Sequence, residues 1–69
     1  MFFIWEDGFE IKTRVEDDKI IISANTPGLL SLANHLTTLA NAPTNNHLHL
    51  DEYNSLEEGS TDLILERIS

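Results

Sequence analysis

The sequence predicts an α+β domain in which one helix packs on a mostly antiparallel sheet of four to five strands. Thr26–Ala42 is the only stretch in which apolar residues recur at helical spacing. On either side of it, short runs alternate apolar and polar residues, as half-buried strands do. A chain of 69 residues suffices for one domain, so residues 1–69 are expected to fold as a single unit.

Three strands are predicted before the helix. Phe2–Trp5 is apolar and is followed by Asp7-Gly8, a signal for a two-residue hairpin turn. The returning strand, Phe9–Glu16, alternates apolar and polar side chains. Lys19–Ala24 follows the turn Asp17-Asp18 and contains three consecutive isoleucines, a pattern typical of an interior strand.

The helix is predicted to run within a few residues of Pro27–Asn41. Thr26 can cap its first turn, and Pro27 suits the first helical position because no intrahelical donor is lost there. Asn41 tolerates a left-handed conformation at the end, and Pro43 prevents continuation. The apolar stripe of the helix and facing strand residues should form the core: Leu29, Leu32, Leu36, Leu39, Ile11, Ile21 and Leu50.

Two more strands are predicted after the helix, giving the order βββ-α-ββ. His47–Glu52 alternates, with Leu48 and Leu50 on one face. Tyr53–Thr61 is expected to be a loop, and Asp62–Ile68 the last strand. One helix, about 10 Å across, leaves much of a five-stranded sheet bare, so we expect a homodimer joined through the open sheet face or a strand edge.

Charge limits the classes of partner. Twelve acidic and four basic residues give a net charge of −8, which disfavours nucleic acid and anionic membranes. A basic protein would complement that charge, and solubility alone would also explain it. No charged residue occurs between Thr26 and Leu50, which leaves the outer face of the helix polar but uncharged. A helix face without charge is typical of an interface, and it can also arise by chance.

The sequence contains no signal for export or membrane insertion. The apolar start, Met1–Trp5, is too short for a signal peptide and lacks a basic region before it. No run approaches the roughly 20 apolar residues that a membrane span requires. The absence of cysteine excludes disulfides and thiolate metal sites. A cytoplasmic protein is therefore expected.

One short motif could bind metal. His47, His49 and Asp51 are two residues apart, so their side chains would share one face of a strand, and all three types can bind zinc. The other interpretation is the polar face of a half-buried strand, and no further ligand is specified nearby. The sequence therefore predicts no metal site or cofactor, and a small metal-binding or enzymatic accessory protein that uses His47, His49 and Asp51 stays the alternative.

An acidic segment is the candidate site for a protein partner. Carboxylates surround one tyrosine between Asp51 and Glu58, and the candidate contact residues are Asp51, Glu52, Tyr53, Asn54, Glu57 and Glu58. Paired carboxylates can catalyse proton transfer only in a pocket that separates their pKa values, and so small a chain has little room for one. No nucleophile set or glycine-rich phosphate loop occurs, so no enzyme and no catalytic residue is predicted.

The stretch IISANTPGLLSLANHLTTLA, followed by HLHLDEYNSLEEGSTDLILERI, resembles the immunity protein 32 family of bacterial polymorphic-toxin systems. The resemblance rests on the strand that runs into Ala24-Asn25, on Gly28 before the helix that carries His35, and on Gly59-Ser60 before the last strand. It implies a small cytoplasmic protein that binds and blocks a cognate toxin domain. Many such toxins are nucleases with basic active-site surfaces, which an acidic protein would complement.

Overall fold

The structure, a computed structural model, describes residues 3–43 and 46–69 and confirms the α+β class. The described part of the chain has one helix and four strands in the order ββαββ. The strands and the helix are β1 (Ile11–Glu16), β2 (Lys19–Ala24), α1 (Thr26–Ala40), β3 (His47–Leu50) and β4 (Leu63–Glu66). Both β3 and β4 are shorter than predicted, because Asp51 begins a turn and Asp62 ends a loop.

The four strands form two separate antiparallel pairs, so the prediction of one four- to five-stranded sheet is wrong. In the first pair, β1 and β2 are joined by a two-residue turn in which Asp17 and Asp18 have φ values of 52° and 62°. In the second pair, β3 lies beside β4. The connection between β3 and β4 explains the division, because it covers the outer edge of β1. Its Glu57 and Thr61 backbone N–H groups donate to the Ile11 and Thr13 carbonyls at 2.9 and 3.1 Å.

The predicted first strand is also wrong. Phe3–Trp5 has no strand structure, and Phe2 lies outside the described residues. The N-terminal segment, residues 3–10, lies instead along the helix. The Glu6 N–H donates to Ser31 Oγ at 2.8 Å, and the Asn34 side-chain amide donates to the Ile4 carbonyl at 3.2 Å. The Trp5 ring lies 4.1 Å from that of His35 and 4.5 Å from that of Phe9, measured between centroids.

Asn25, rather than Thr26, caps the helix. Its Oδ1 accepts the Gly28 N–H at 2.8 Å and the Glu10 N–H at 3.0 Å, and its Nδ2 donates to the Gly8 carbonyl at 2.9 Å. One side chain thus joins the start of the helix to the N-terminal segment. At the other end Asn41 has a φ of −100°, so the expected left-handed cap does not form.

The core confirms part of the predicted set. Ile11, Leu32, Leu39 and Leu50 are buried, Ile21 is only half-buried, and Leu56 from the β3–β4 loop joins the core. Leu29 and Leu36 are 56% and 54% exposed, so the predicted helix face is correct at Leu32 and Leu39 only. The N-terminal segment explains the difference, because it packs on Ser31 and His35 and turns that side of the helix inward. The buried helix residues are Gly28, Ser31, Leu32, His35 and Leu39.

Candidate functional site

The acidic segment forms an ordered loop that begins with an Asx turn. Asp51 Oδ1 accepts the N–H groups of Tyr53 and Asn54 at 2.9 and 3.1 Å. Asn54 closes the turn in return, since its Oδ1 accepts the Asp51 N–H and its Nδ2 donates to the His49 carbonyl, both at 3.0 Å. Short polar side chains favour such turns because they can replace a backbone partner. The carboxylate of Asp51 is therefore engaged within its own loop.

The far end of the loop is held by the fold. Leu56 is 4% exposed and packs in the core with Ile11 and Leu50. A Glu52 carboxylate oxygen accepts the N–H of Gly59 at 2.8 Å, where the chain turns with a φ of +84° that glycine adopts without strain. Ser60 Oγ accepts the Thr13 N–H at 3.2 Å. The loop is thus fixed to β1 along its second half.

Tyr53, Glu57 and Glu58 are among the exposed side chains of the loop. Tyr53 is 90% exposed, and Glu57 and Glu58 are exposed beside it in the sequence. Tyr53, Glu58 and the half-buried Glu52 line a shallow depression of about 330 Å³. A large exposed aromatic ring on a fixed loop is the kind of side chain that binding hot spots favour.

The electrostatic environment of Tyr53 is negative. The pKa of Tyr53 is raised above its usual value of 10.0, first by hydrogen bonding with the Glu52 carboxylate and then by the negative charges of Glu52, Asp51 and Asp62. Charged residues along the chain add to this negative potential. Six of the twelve acidic residues lie within residues 51–66, and no lysine or arginine occurs within residues 20–66. The surface around Tyr53 therefore favours a cationic partner.

The structure divides the six predicted contact residues into two groups. It brings all six into one loop, as their positions in the sequence require. Asp51 and Asn54 hydrogen-bond inside the turn, and Glu52 holds Gly59, so these three shape the loop. Tyr53, Glu57 and Glu58 extend into the solvent. Sequence reasoning missed Asp62, which joins the same field and follows from the pairing of Leu50 with Leu63.

The alternative histidine motif is not assembled. His47 and His49 are both exposed on β3, but His49 Nε2 lies 3.2 Å from an Asp62 oxygen, and the Asp51 carboxylate is occupied in its turn. Within residues 3–43 and 46–69, no group of three or more histidine, aspartate or glutamate side chains is placed to hold a metal ion. No observed contact supports the alternative.

The comparisons with known proteins place the chain in a family. No helix in the described part of the chain is long and apolar enough to cross a membrane. No curated protein and no solved structure matches the chain significantly. The family model described as immunity protein 32 matches residues 19–68, which include β2, α1, β3, the acidic loop and β4. Because this match covers more than half of the sequence, the chain belongs to the immunity protein 32 family.

Proposed function

We propose that this protein binds and neutralises a cognate toxin domain in the bacterial cytoplasm, and that the acidic loop is its contact surface. Membership in an immunity protein family supports a protein partner. The observation that carries the choice of surface is Tyr53, held 90% exposed among carboxylates on a loop that the fold fixes in place. A toxin with a basic working surface, such as a nuclease, would be attracted to this loop and covered by it.

The loop needs little rearrangement to bind. Its turn is closed by Asp51 and Asn54, and its second half is attached to β1 through Glu57 and Thr61. A surface that is already ordered loses less conformational entropy on association than a flexible one. The three displayed side chains have separate roles: Glu57 and Glu58 accelerate encounter, and Tyr53 slows dissociation.

The charge test uses Glu57→Gln/Glu58→Gln and the toxin domain encoded beside this chain. Both side chains are exposed, and the hydrogen bond from Glu57 to β1 is made by its backbone N–H, so the fold should persist. The association rate should fall several-fold at low salt and approach that of the parent as salt screens the field, with dissociation little changed. Asp7→Asn/Glu10→Gln is the matched control, since it removes the same charge from the exposed N-terminal segment. Equal association rates for the loop variant and the parent at every salt concentration would contradict the proposed surface.

The contact test uses Tyr53→Ala, with Tyr53→Phe as its control. Because the ring lies 90% exposed, its removal should leave the melting temperature unchanged. Dissociation of the toxin should accelerate about thirtyfold if Tyr53 is a hot spot, and the phenylalanine variant should recover most of the loss. Survival of cells that express the toxin should follow the same order. If both tests leave binding and protection intact, the contact lies elsewhere, and the uncharged outer face of α1 is the next surface to test.

A further inference from the structure

Among the described residues, none pairs with the outer edge of β2. In an antiparallel hairpin, alternate residues direct their backbone groups to the partner strand. The two-residue turn makes Glu16 and Lys19 a hydrogen-bonded pair, and the Asn25 N–H, which donates to the Glu10 carbonyl at 3.1 Å, continues the alternation. The backbone N–H and C=O groups of Ile20, Ile22 and Ala24 therefore point away from β1.

The two edges of this hairpin differ. The corresponding outward carbonyls of β1, at Ile11 and Thr13, accept hydrogen bonds from the β3–β4 loop. On β2, no backbone hydrogen bond from residues 3–43 or 46–69 reaches the outward groups. An open edge of this kind is a template for another strand, and proteins usually protect it with charge, proline or a bulge. β2 contains no proline, and its one charged residue is Lys19, at its first position.

Apolar side chains accompany the open edge. Ile20 and Ile22 are 76% and 41% exposed, and Val15, opposite Ile20, is 62% exposed. Ile64 of β4 is 55% exposed and lines, together with Val15 and Ile20, a cleft of about 240 Å³. The hairpin thus presents unpaired backbone groups and apolar surface at the same place.

We propose that a second copy of this chain pairs with β2 along this edge, antiparallel, to form the four-stranded sheet β1-β2-β2-β1. A hydrogen-bonded pair can form only between residues whose backbone groups point out of their own hairpins, here Ile20, Ile22 and Ala24. One antiparallel register pairs all three of them in each chain. In this register Ile22 faces Ile22 of the second copy on the two-fold axis, and Ile20 faces Ala24. An isolated two-stranded hairpin is marginal in water, whereas four strands with an apolar face are not.

Charge favours a second copy over other occupants. Residues 11–24 contain three basic and three acidic side chains, so the hairpin is neutral in a chain of net charge −8. Two such chains can meet there with the least repulsion. In the proposed register Lys19 faces Asn25, and Asp18 faces Thr26 at the start of α1, whose first turn contains no acid. The positive end of the helix dipole favours an aspartate at that position.

The chain exposes more surface than a compact monomer of its mass is expected to expose. The chain exposes 4880 Å², whereas a compact monomer of 7.8 kDa is expected to expose about 4,400 Å². A specific dimer buries at least about 600 Å² on each chain, roughly an eighth of this surface. The exposed apolar side chains of the hairpin, Val15, Ile20 and Ile22, would contribute to that area.

Cross-linking tests the register, and the chain is suited to it because it contains no cysteine. Ile22→Cys would place two thiols on the axis with Cα atoms about 5.5 Å apart, within disulfide range. Ile20→Cys is the matched control: its thiols would be four residues out of register, roughly 14 Å apart. Under a mild oxidant Ile22→Cys should form a covalent dimer at least tenfold faster, although Ile20 is the more exposed position. Equal rates, or a faster Ile20→Cys, would overturn the register.

Mass in solution tests the association itself. Light scattering or sedimentation of the parent should give about twice 7.8 kDa at tens of micromolar. Ile22→Lys should give a monomer, because it places two like charges on the axis. Leu36→Lys, an equal charge change on the exposed helix stripe, should remain dimeric. A monomeric parent would overturn the proposal, as would a dimer that Leu36→Lys dissociates and Ile22→Lys does not.

Discussion

The buried ring of His35 makes no hydrogen bond to the described residues. Its side chain is 0% exposed, and neither ring nitrogen has a hydrogen-bond partner in the described residues. It packs instead against the rings of Phe3 and Trp5, with centroids 5.4 and 4.1 Å away. An imidazole with no acceptor or donor nearby is held neutral, because its charged form would lose water and gain nothing. Burial therefore lowers the pKa of His35 below its usual value of 6.5.

This lowered pKa predicts a pH-dependent stability. The unfolded chain binds a proton at His35 near pH 6.5, while the folded chain does so only at lower pH. Stability should therefore be constant above that value and fall as the pH decreases through it. Urea midpoints between about pH 7.5 and 5.5 measure the slope, which His35→Leu should reduce. His49→Gln, on an exposed histidine, is the control and should retain it. An unchanged slope in His35→Leu would contradict this account.

Gly28 supports a second residue-scale prediction. A Cβ at this position would overlap the Glu10 carbonyl oxygen and lie 3.0 Å from the Ala24 Cβ. Alanine is the better helix former by about 1 kcal/mol, yet Gly28→Ala should lower the free energy of unfolding by about 1–3 kcal/mol, because backbone atoms must shift. Denaturant unfolding measures the change. Gly8→Ala has open space but a φ of +79°, so its loss should come from backbone strain alone and stay smaller.

At the scale of the element, the leucines of α1 recur at helical spacing but are not equally buried. Leu32 is 9% exposed, whereas Leu36, one turn later, is 54% exposed. Leu32→Ala should cost about 2–5 kcal/mol through lost burial and a cavity, and Leu36→Ala less than about 1 kcal/mol. Thermal unfolding of the two variants compares the same substitution on two faces of one helix. Equal losses would show that the leucine stripe does pack inward.

The same helix shows how far the sequence could predict the fold. Its limits followed from Pro27 and Pro43, and β2 followed from its isoleucines and the aspartate turn. Its buried face did not, because Ser31 and His35 become inward-facing only through contacts with the distant N-terminal segment. No local pattern encodes such a contact, and leucine periodicity was right for Leu32 and Leu39 but wrong for Leu29 and Leu36.

The division of the strands into two separate pairs could not be predicted from the sequence, for a related reason. β1 alternates as an inner strand does, but its outer edge is taken by the backbone of Glu57 and Thr61, in a stretch without strand periodicity. The sequence was sufficient to propose the acidic loop as the candidate site, but not to separate the roles of its side chains. Composition identified the acidic loop, while only the structure shows that Asp51 hydrogen-bonds within the loop and that Glu58 is exposed.

The whole molecule carries an excess of negative charge that its own contacts do little to offset. Within the described residues Arg14 pairs with Glu16, and His49 contacts Asp62, which makes an ion pair only when the histidine is protonated; all four side chains are about half exposed. Exposed pairs of this kind add little stability. The net charge of −8 therefore acts mainly as repulsion within the folded chain.

Salt should consequently stabilise the fold while it slows association with a basic partner. Raising sodium chloride from about 0.01 to 0.5 M should increase the urea midpoint, because screening weakens the repulsion. Glu57→Gln/Glu58→Gln removes two negative charges and should show a smaller increase. A midpoint that falls with salt would show that the ion pairs outweigh the repulsion.

Trp5 gives the contact with His35 a spectroscopic consequence. It is the single tryptophan of the chain, and its indole lies against the His35 ring and that of Phe9. Contact with water shifts indole emission to longer wavelength. The fluorescence of this one side chain therefore reports, without any label, whether the N-terminal segment is seated on the helix.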